Sequence, residues 1–441
     1  MSDAAGAESG PAESGGTGHL GVLATWRQTP GPVRALLAGV FVSRLAGFLV
    51  IFLVLYLTHR GFSSSQAALG LGMYGAGSIV GTFVGGYLSD RISARAAVMV
   101  SMGGAAVLLV SIIYLKVYVL ILLATLLVGG VGVIYRPAAQ SVITELTPPG
   151  QLVMVTAMYR LCLNLGTTAA PLIGVALIHF SYSLLFWGEA IASLGYGLIA
   201  LRFLPRTRTR TPATAAADRA AETPVRKSRS GYLAMLGDVR YLFFLLAFLL
   251  LCLVYVQYVA IVPLAIVKAG LPLWWYGAVV ALNAVIVVTC EVAATRWVQA
   301  WPKRLTVLVG FSLLAAGYAV YAIKLIPVFL IAGTLIWTLS EITGTPTVYA
   351  YPGLVAPDHL RGRYFGAMHS MYNIGATLGP IFGVILFDHI GQKVFLWAAL
   401  VAVAAAITSQ IGVRSIDTAH ARQAAPDPVS PAPASAESAA P

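Results

Sequence analysis

Several ionisable residues stand inside long apolar runs, where few side-chain types other than proton carriers or ligand holders are worth their desolvation. Glu341 ends the segment Trp337-Thr-Leu-Ser-Glu341, some fourteen residues into the run 327–350. A carboxylate at that depth is expensive to keep charged, so a group there can bind and release a proton. The plainer alternative is a neutral hydrogen bond between helices. Glu291 lies in the inner third of the run 274–297, as a second proton site, part of an inner gate, or an ion pair with Arg296 or Arg304. Glu189, about five residues from the outer end of the run 184–203, either reaches the interface or takes a direct part. Arg44, in Ser43-Arg44-Leu-Ala-Gly47, and Arg136 are also placed within runs. An arginine there must face water, a carboxylate or an anionic solute, and a buried acid is the favoured partner. Arg160 opens the run 153–179 and is expected near the inner surface with Asp90 or Glu145.

The elements that position these groups follow from composition. Of 441 residues, 59% are hydrophobic and 10% charged, with mean hydropathy +0.84; soluble domains carry roughly 25% charged residues. A water-soluble enzyme is excluded. Spans of about 20 apolar residues are expected near 33–57, 67–89, 96–115, 119–141, 153–179, 184–203, 238–267, 274–297, 305–323, 327–350, 363–388 and 394–413. The fold class is therefore all-α integral membrane, with twelve transmembrane helices in two six-helix halves, 33–203 and 238–413. The polar stretches 1–32 and 414–441 read as disordered cytoplasmic tails, and 204–237, with Arg206-Thr-Arg208-Thr-Arg210, as a cytoplasmic linker.

The 28 Lys and Arg against 16 Asp and Glu raise the question of nucleic acid, but their placement answers it. With the N-terminus inside, twenty fall in inner segments and five, Arg60, Lys116, Lys268, Lys324 and Lys393, in outer ones. That is an orientation signal putting both termini in the cytoplasm, not a nucleic-acid surface. Cys162, Cys252 and Cys290 all lie in apolar runs, with no CxxC metal spacing, so no metal centre is expected. The first 32 residues have no apolar core or cleavage site, so they are not a secretory signal peptide.

The chain also repeats itself. A shift of 209 residues carries Asn164, Gly166, Pro171, Gly174 and Val175 onto Asn373, Gly375, Pro380, Gly383 and Val384, Pro137 onto Pro346, and Pro148 onto Pro357. Both copies run from inside to outside, so the repeat is parallel, an architecture that places a site between two halves near the midplane. The chemistry is not duplicated: the mates of Glu341 and Arg136 are Gly132 and Thr345.

Between the second and third runs stands Gly86-Tyr-Leu-Ser-Asp90-Arg91-Ile-Ser-Ala-Arg95. A glycine permits close helix approach, and an aspartate beside arginines can lock two helix ends; a generic positive loop is the even alternative. The pattern G-x-x-x-D-R-x-x-x-R resembles the signature loop of the major facilitator superfamily, with Ser93 where a glycine is usual. Gly166-Thr-Thr-Ala-Ala-Pro171-Leu-Ile-Gly174 is similar to the kinked motif of that family's exporters, with Ala169 and Ala170 in place of glycines. Trp337-Thr-Leu-Ser-Glu341 followed by Pro346 resembles the drug:proton antiporter branch, and Arg136 resembles the family's span-four coupling arginine. The resemblance implies a secondary transporter in a bacterial-type inner membrane, with protons as coupling ion and no other cofactor. It assigns proton coupling to Glu341 and Arg136; Glu291 and Glu189 are further candidates by their place inside apolar runs alone. Gating falls to Gly86, Asp90, Arg91, Arg95, Arg160, Gly166, Pro171 and Gly174.

Polar and aromatic positions complete a candidate substrate cavity: Arg44, Tyr56, Gln257, Tyr258, Asn283, Trp337, Tyr372 and Asn373. Asn164 and Asn373, matched by the repeat, also read as helix contacts, and His369 shares a helical face with Tyr372. The expected function is efflux of lipophilic or amphipathic small molecules in exchange for protons, by a monomer in the lipid bilayer. Proton-coupled uptake of an anionic nutrient or peptide, with Arg44 and Arg136 as ligands, competes with it, as does a membrane sensor that does not transport. A membrane enzyme is disfavoured, since DxxD, HExxH and P-loop patterns are missing from the sequence.

Overall fold

Lipid offers no hydrogen-bond partners, so a chain this apolar must satisfy its backbone within helices. The structure, a computed structural model, describes residues 22–205 and 231–414. The tails over 1–21 and 415–441 and the linker stretch 206–230 lie outside the described residues. The helices are α1 (Val22–Gln28), α2 (Gly31–Leu45), α3 (Leu49–His59), α4 (Ser64–Arg91), α5 (Ala94–Tyr114), α6 (Tyr118–Val133), α7 (Tyr135–Leu146), α8 (Leu152–Ile178) and α9 (Ser183–Phe203). After the linker come α10 (Tyr232–Leu236), α11 (Val239–Tyr255), α12 (Gln257–Ala260), α13 (Val262–Lys268), α14 (Trp274–Val298), α15 (Lys303–Ile323), α16 (Pro327–Val355), α17 (Arg361–Ile390) and α18 (Val394–Gly412).

Eleven stretches of the described residues are long and apolar enough to cross a bilayer. The last, Asp358–Gly412, is 55 residues long and holds two helices, α17 and α18, parted by a turn at Gly391–Lys393. Two margins differ from expectation: α1 lies in the region read as N-terminal tail, and α10 in the region read as linker.

Three of the expected spans are broken. Between α2 and α3, residues 46–48 leave the helix, and the freed Leu49 N–H donates to Glu189 Oε2 at 2.6 Å. Between α6 and α7 the break at Ile134 stands just ahead of Pro137, whose ring removes a donor. Between α12 and α13 the break at Ile261 precedes Pro263 for the same reason.

One apolar core gathers residues drawn from 235–413, and two others gather residues mainly from 33–204. Glycines bring the helices together at matched places. A Cβ at Gly174 of α8 would sit 3.0 Å from Phe52 Cδ2, and one at Gly383 of α17 would sit 2.9 Å from Ile261 Cδ1. Likewise Gly166 leaves room for Leu45, and Gly375 for Cys252 and Leu253. The outward faces carry exposed Leu172, Leu198 and Ile407, a surface suited to acyl chains.

Candidate functional site

Two turns into α8, Arg160 meets two acids from the other half of the chain. Its Nε donates to Glu291 Oε1 at 2.5 Å and its Nη2 to Glu341 Oε1 at 3.1 Å. All three side chains are at least nine-tenths buried. The remaining acceptor sites are engaged as well: Asn164 Nδ2 reaches Glu291 Oε2 at 3.4 Å, Asn283 Nδ2 reaches Glu341 Oε2 at 3.2 Å, and Tyr255 Oη donates to Glu341 Oε1 at 3.2 Å. The Tyr349 ring stands 5.2 Å from the guanidinium, adding a cation–π contact. Two carboxyl groups thus share one buried cation, a set whose charges do not cancel when both acids are ionised.

Beside this cluster lie two contiguous chambers, about 680 Å³ and about 260 Å³, which share Arg44, Arg136, Thr167 and Tyr372 in their walls. Glu189 and Asn373 line the larger chamber; Arg160, Glu341, Tyr258 and His369 line the smaller. On α4 the lining runs from Ala68 to Ser78 and stops there. The chamber therefore occupies the middle of the bundle and the end away from Asp90.

The Asp90 end is shut by a stripe of small residues. Ser78, Thr82, Gly86 and Asp90 recur every four residues along one face of α4 and meet the start of α17. Asn373 Nδ2 donates to Ser78 O at 3.0 Å, and the Thr82 and Ser370 hydroxyls lie 2.6 Å apart. A Cβ at Gly366 would stand 3.1 Å from Gly86 Cα, so neither side can carry bulk. Asp90 then caps α17, accepting from Gly362 N at 2.7 Å and Arg363 N at 3.0 Å. A carboxylate on a helix N-terminus satisfies orphan donors and the helix dipole together. Asp90→Ala is expected to weaken this seam by about 1 kcal/mol, roughly fivefold in the closed-to-open ratio. Labelling of a thiol introduced by Ser370→Cys, buried at the seam, should speed up accordingly; an unchanged labelling rate would count against the clamp.

The description Major Facilitator Superfamily belongs to the family model that matches residues 36–380 and 277–438. The chain belongs to that superfamily. An MFS-type transporter of Bacillus subtilis named as uncharacterised is 25% identical over 382 residues, covering 84% of this chain and 92% of the relative. A Na(+), Li(+), K(+)/H(+) antiporter of Planococcus maritimus is 25% identical over 376 residues, covering 79% and 88%. In fold, the chain is similar to the fucose:proton symporter of E. coli, with TM-score 0.67 at 15% identity, covering 87% of this chain and 98% of that one. This Major Facilitator Superfamily member is thus a multi-pass membrane transporter with a small-molecule substrate.

The transporter's geometry moves several expected residues. Arg160 belongs with Glu291 and Glu341, not with Asp90 or Glu145, because its place two turns along α8 carries it about 12 Å into the bundle. Glu291 accordingly pairs with Arg160 and not with Arg296 or Arg304. Glu189 has no arginine within 4.0 Å among the described residues; it lines the larger chamber and caps α3. Arg44 and Arg136, expected beside an acid, have no carboxylate within 4.0 Å among the described residues. Arg136 reaches Asn373 Oδ1 at 3.5 Å, and Arg44 lies 5.9 Å from the Tyr135 ring.

Tyr56 lies outside the chambers, packed on Phe186 and accepting from Arg60. Gln257 is fully buried and donates to Leu253 O and Gly379 O, a helix-to-helix tie. Trp337 stands behind Tyr258 with its Nε1 donating to Tyr321 Oη at 3.0 Å, and Asn283 orients Glu341 from α14. Of the loop arginines, Arg91 donates to Tyr87 Oη and Arg95 to Leu204 O, so neither completes the Asp90 clamp. Gly166 and Gly174 serve the packing of α8 on α2 and α3, and Pro171 sits within α8. Arg363, at the Asp90 seam, and Tyr255, on Glu341, join the site beyond the residues expected from sequence. Tyr255 was legible as the residue three before Tyr258 on one helical face; Arg363 looked like one more charge at a span's end.

Proposed function

We propose that this superfamily member is a proton-coupled secondary transporter working by alternating access, with Glu341, Arg160 and Glu291 as its coupling centre. One observation carries the reading: a single buried guanidinium bridges two buried carboxyl groups at 2.5 Å and 3.1 Å beside a central chamber. Taking up or losing one proton changes the net charge of this buried trio, a change worth several kcal/mol, so proton exchange there must be accompanied by rearrangement, rehydration or a compensating charge. Arg160 comes from one half and both acids from the other, so this rearrangement acts directly on the contact between halves. The names of a proton symporter and a cation/proton antiporter among similar proteins support the same coupling ion.

Twelve spans in two parallel six-helix halves is the architecture that fits this mechanism. It is supported by the matched packing of Gly174 on Phe52 and Gly383 on Ile261, both 209 residues apart, and by the repeat of residues at the same offset. With both termini in the cytoplasm, as the charge bias favours, the Asp90 seam lies on the inner side and the chamber faces outward. The chamber's largely apolar wall suits an amphipathic solute. Export against the proton flow requires that solute and proton exclude each other from the chamber; uptake alongside it requires that they bind together. Purified chain in liposomes should move such a solute when a pH gradient is imposed and stop when the gradient is collapsed. Binding without gradient-driven flux would identify a sensor instead and defeat the proposal.

A further inference from the structure

The two arginines of the chamber have no acid at ion-pair distance among the described residues. Arg44 Nε and Arg136 Nε are buried without a hydrogen-bond partner, and no carboxylate lies within 4.0 Å of either among the described residues. Glu189, the acid in the same wall, has one oxygen engaged by Leu49 N–H at 2.6 Å. His369 adds an unpartnered Nε2 in the smaller chamber, on a side chain 5% exposed. Cations held this way in a bilayer call for a compensating anion or water. The guanidinium fork matches a carboxylate in particular. Next to it, Val50, Ile51, Leu71 and Ile381 offer an apolar wall.

Counting charges ties this feature to the acid pair. Arg44, Arg136 and Arg160 stand against Glu189, Glu291 and Glu341 in and around the two chambers. With all carboxylates ionised these groups sum to zero. One proton on the Glu291–Glu341 pair leaves a single positive excess, which an anion then cancels. Proton and anion therefore strengthen each other's binding, and by linkage the effect is reciprocal.

We propose that Arg44 and Arg136 hold the anionic head, a carboxylate, of an amphipathic solute, and that this anion binds together with the proton on the Glu291–Glu341 pair. The proposal names the substrate class for the coupling centre described above, and its proton half rests on that reading. Both species then travel in one direction, so an inward proton gradient drives uptake.

The charged and titratable groups facing the acid pair are Arg160 from α8, Tyr255 from α11 and Tyr349 from α16. Arg44, Arg136, Tyr159, Tyr258, Tyr372, Cys252 and His369 face it across the smaller chamber. His369 is the one among these whose ordinary titration falls near neutrality, so the test includes His369→Gln.

The test uses the purified full chain and three probes with one apolar body: naphthoate, naphthamide and naphthylmethylammonium, each titrated calorimetrically at about pH 6 and about pH 8.5. An aryl carboxylate is ionised throughout that range, so any pH effect belongs to the protein. Naphthoate should bind at least about tenfold more tightly than naphthamide, with the ammonium weakest. Its affinity should fall about tenfold or more at the higher pH. Arg44→Gln and Arg136→Gln should each remove the preference for the anion, and Arg136→Lys should restore part of it. The pH dependence should survive His369→Gln and vanish in the Glu291→Gln/Glu341→Gln double variant. Anions that bind no better than the neutral probe overturn the recognition site while leaving the coupling centre standing. Anion-selective binding that ignores pH overturns the joint binding, and with it the coupling role of the acid pair.

Discussion

Glu341→Gln is expected to abolish solute accumulation driven by a pH gradient while leaving exchange of solute down its own gradient. Glutamine keeps the shape of the protonated acid and can still meet Arg160, Tyr255 and Asn283, but it has no proton to give up. Folding should survive, because Glu291 retains Arg160 at 2.5 Å and losing one charge-assisted hydrogen bond costs about 1.5–3 kcal/mol. A gradient of one pH unit is worth about 1.4 kcal/mol per proton, or about a tenfold solute ratio. Liposomes carrying the wild-type chain should approach a ratio of that order, and the variant should settle near equality. A variant that concentrates solute as the wild type does would remove Glu341 from the mechanism.

Arg160→Met should have the second large effect, and on stability. It strips the shared cation from two acids that are 0% and 7% exposed. Breaking a buried pair by removing one partner typically costs about 3–5 kcal/mol, because an uncompensated charge stays behind. Those acids can escape the penalty by taking up protons, so the deficit relative to wild type should be largest at alkaline pH and shrink as the pH falls. Thermal melts of the purified chain at about pH 5.5 and about pH 8.5 check the sign. A deficit that is the same at both would mean the arginine matters for packing alone.

How much of this could be read from residues depended on whether the signal was local. Runs of apolar side chains are dictated by bilayer thickness, so the helices of the described residues fall close to where hydropathy puts them. The break at 46–48 was not readable, because Ala46, Gly47 and Phe48 are as apolar as their neighbours and the partner that stabilises the gap, Glu189, is 140 residues away. Ionisable residues at depth were legible from their desolvation alone, and Glu341 was found that way. Their partners were not, since Arg160 meets acids 131 and 181 residues along the chain.

Other signals are present in the sequence. Arg160 lies eight residues beyond Leu152, where α8 starts, deep enough at 1.5 Å per residue to leave the interface. The four-residue period of Ser78, Thr82, Gly86 and Asp90 is a small-residue seam in plain view, yet Gly86 and Asp90 alone stood out, through the loop motif. Conversely Tyr56, Gln257 and Trp337 show that polar or aromatic character does not reveal which face of a helix meets the chamber. All three are spent on neighbouring side chains or carbonyls.

Coupling rests on one exchangeable proton held between Glu291 and Glu341 on Arg160. Infrared difference spectroscopy of the purified chain, stepped from about pH 6 to about pH 8.5, observes it through the carbonyl stretch of a protonated carboxyl. The wild type should lose one such band as the pH rises, and the Glu291→Gln/Glu341→Gln double variant should show none of that change. A band that persists unchanged in the double variant, or a wild type with no protonated carboxyl to lose, would contradict the coupling centre.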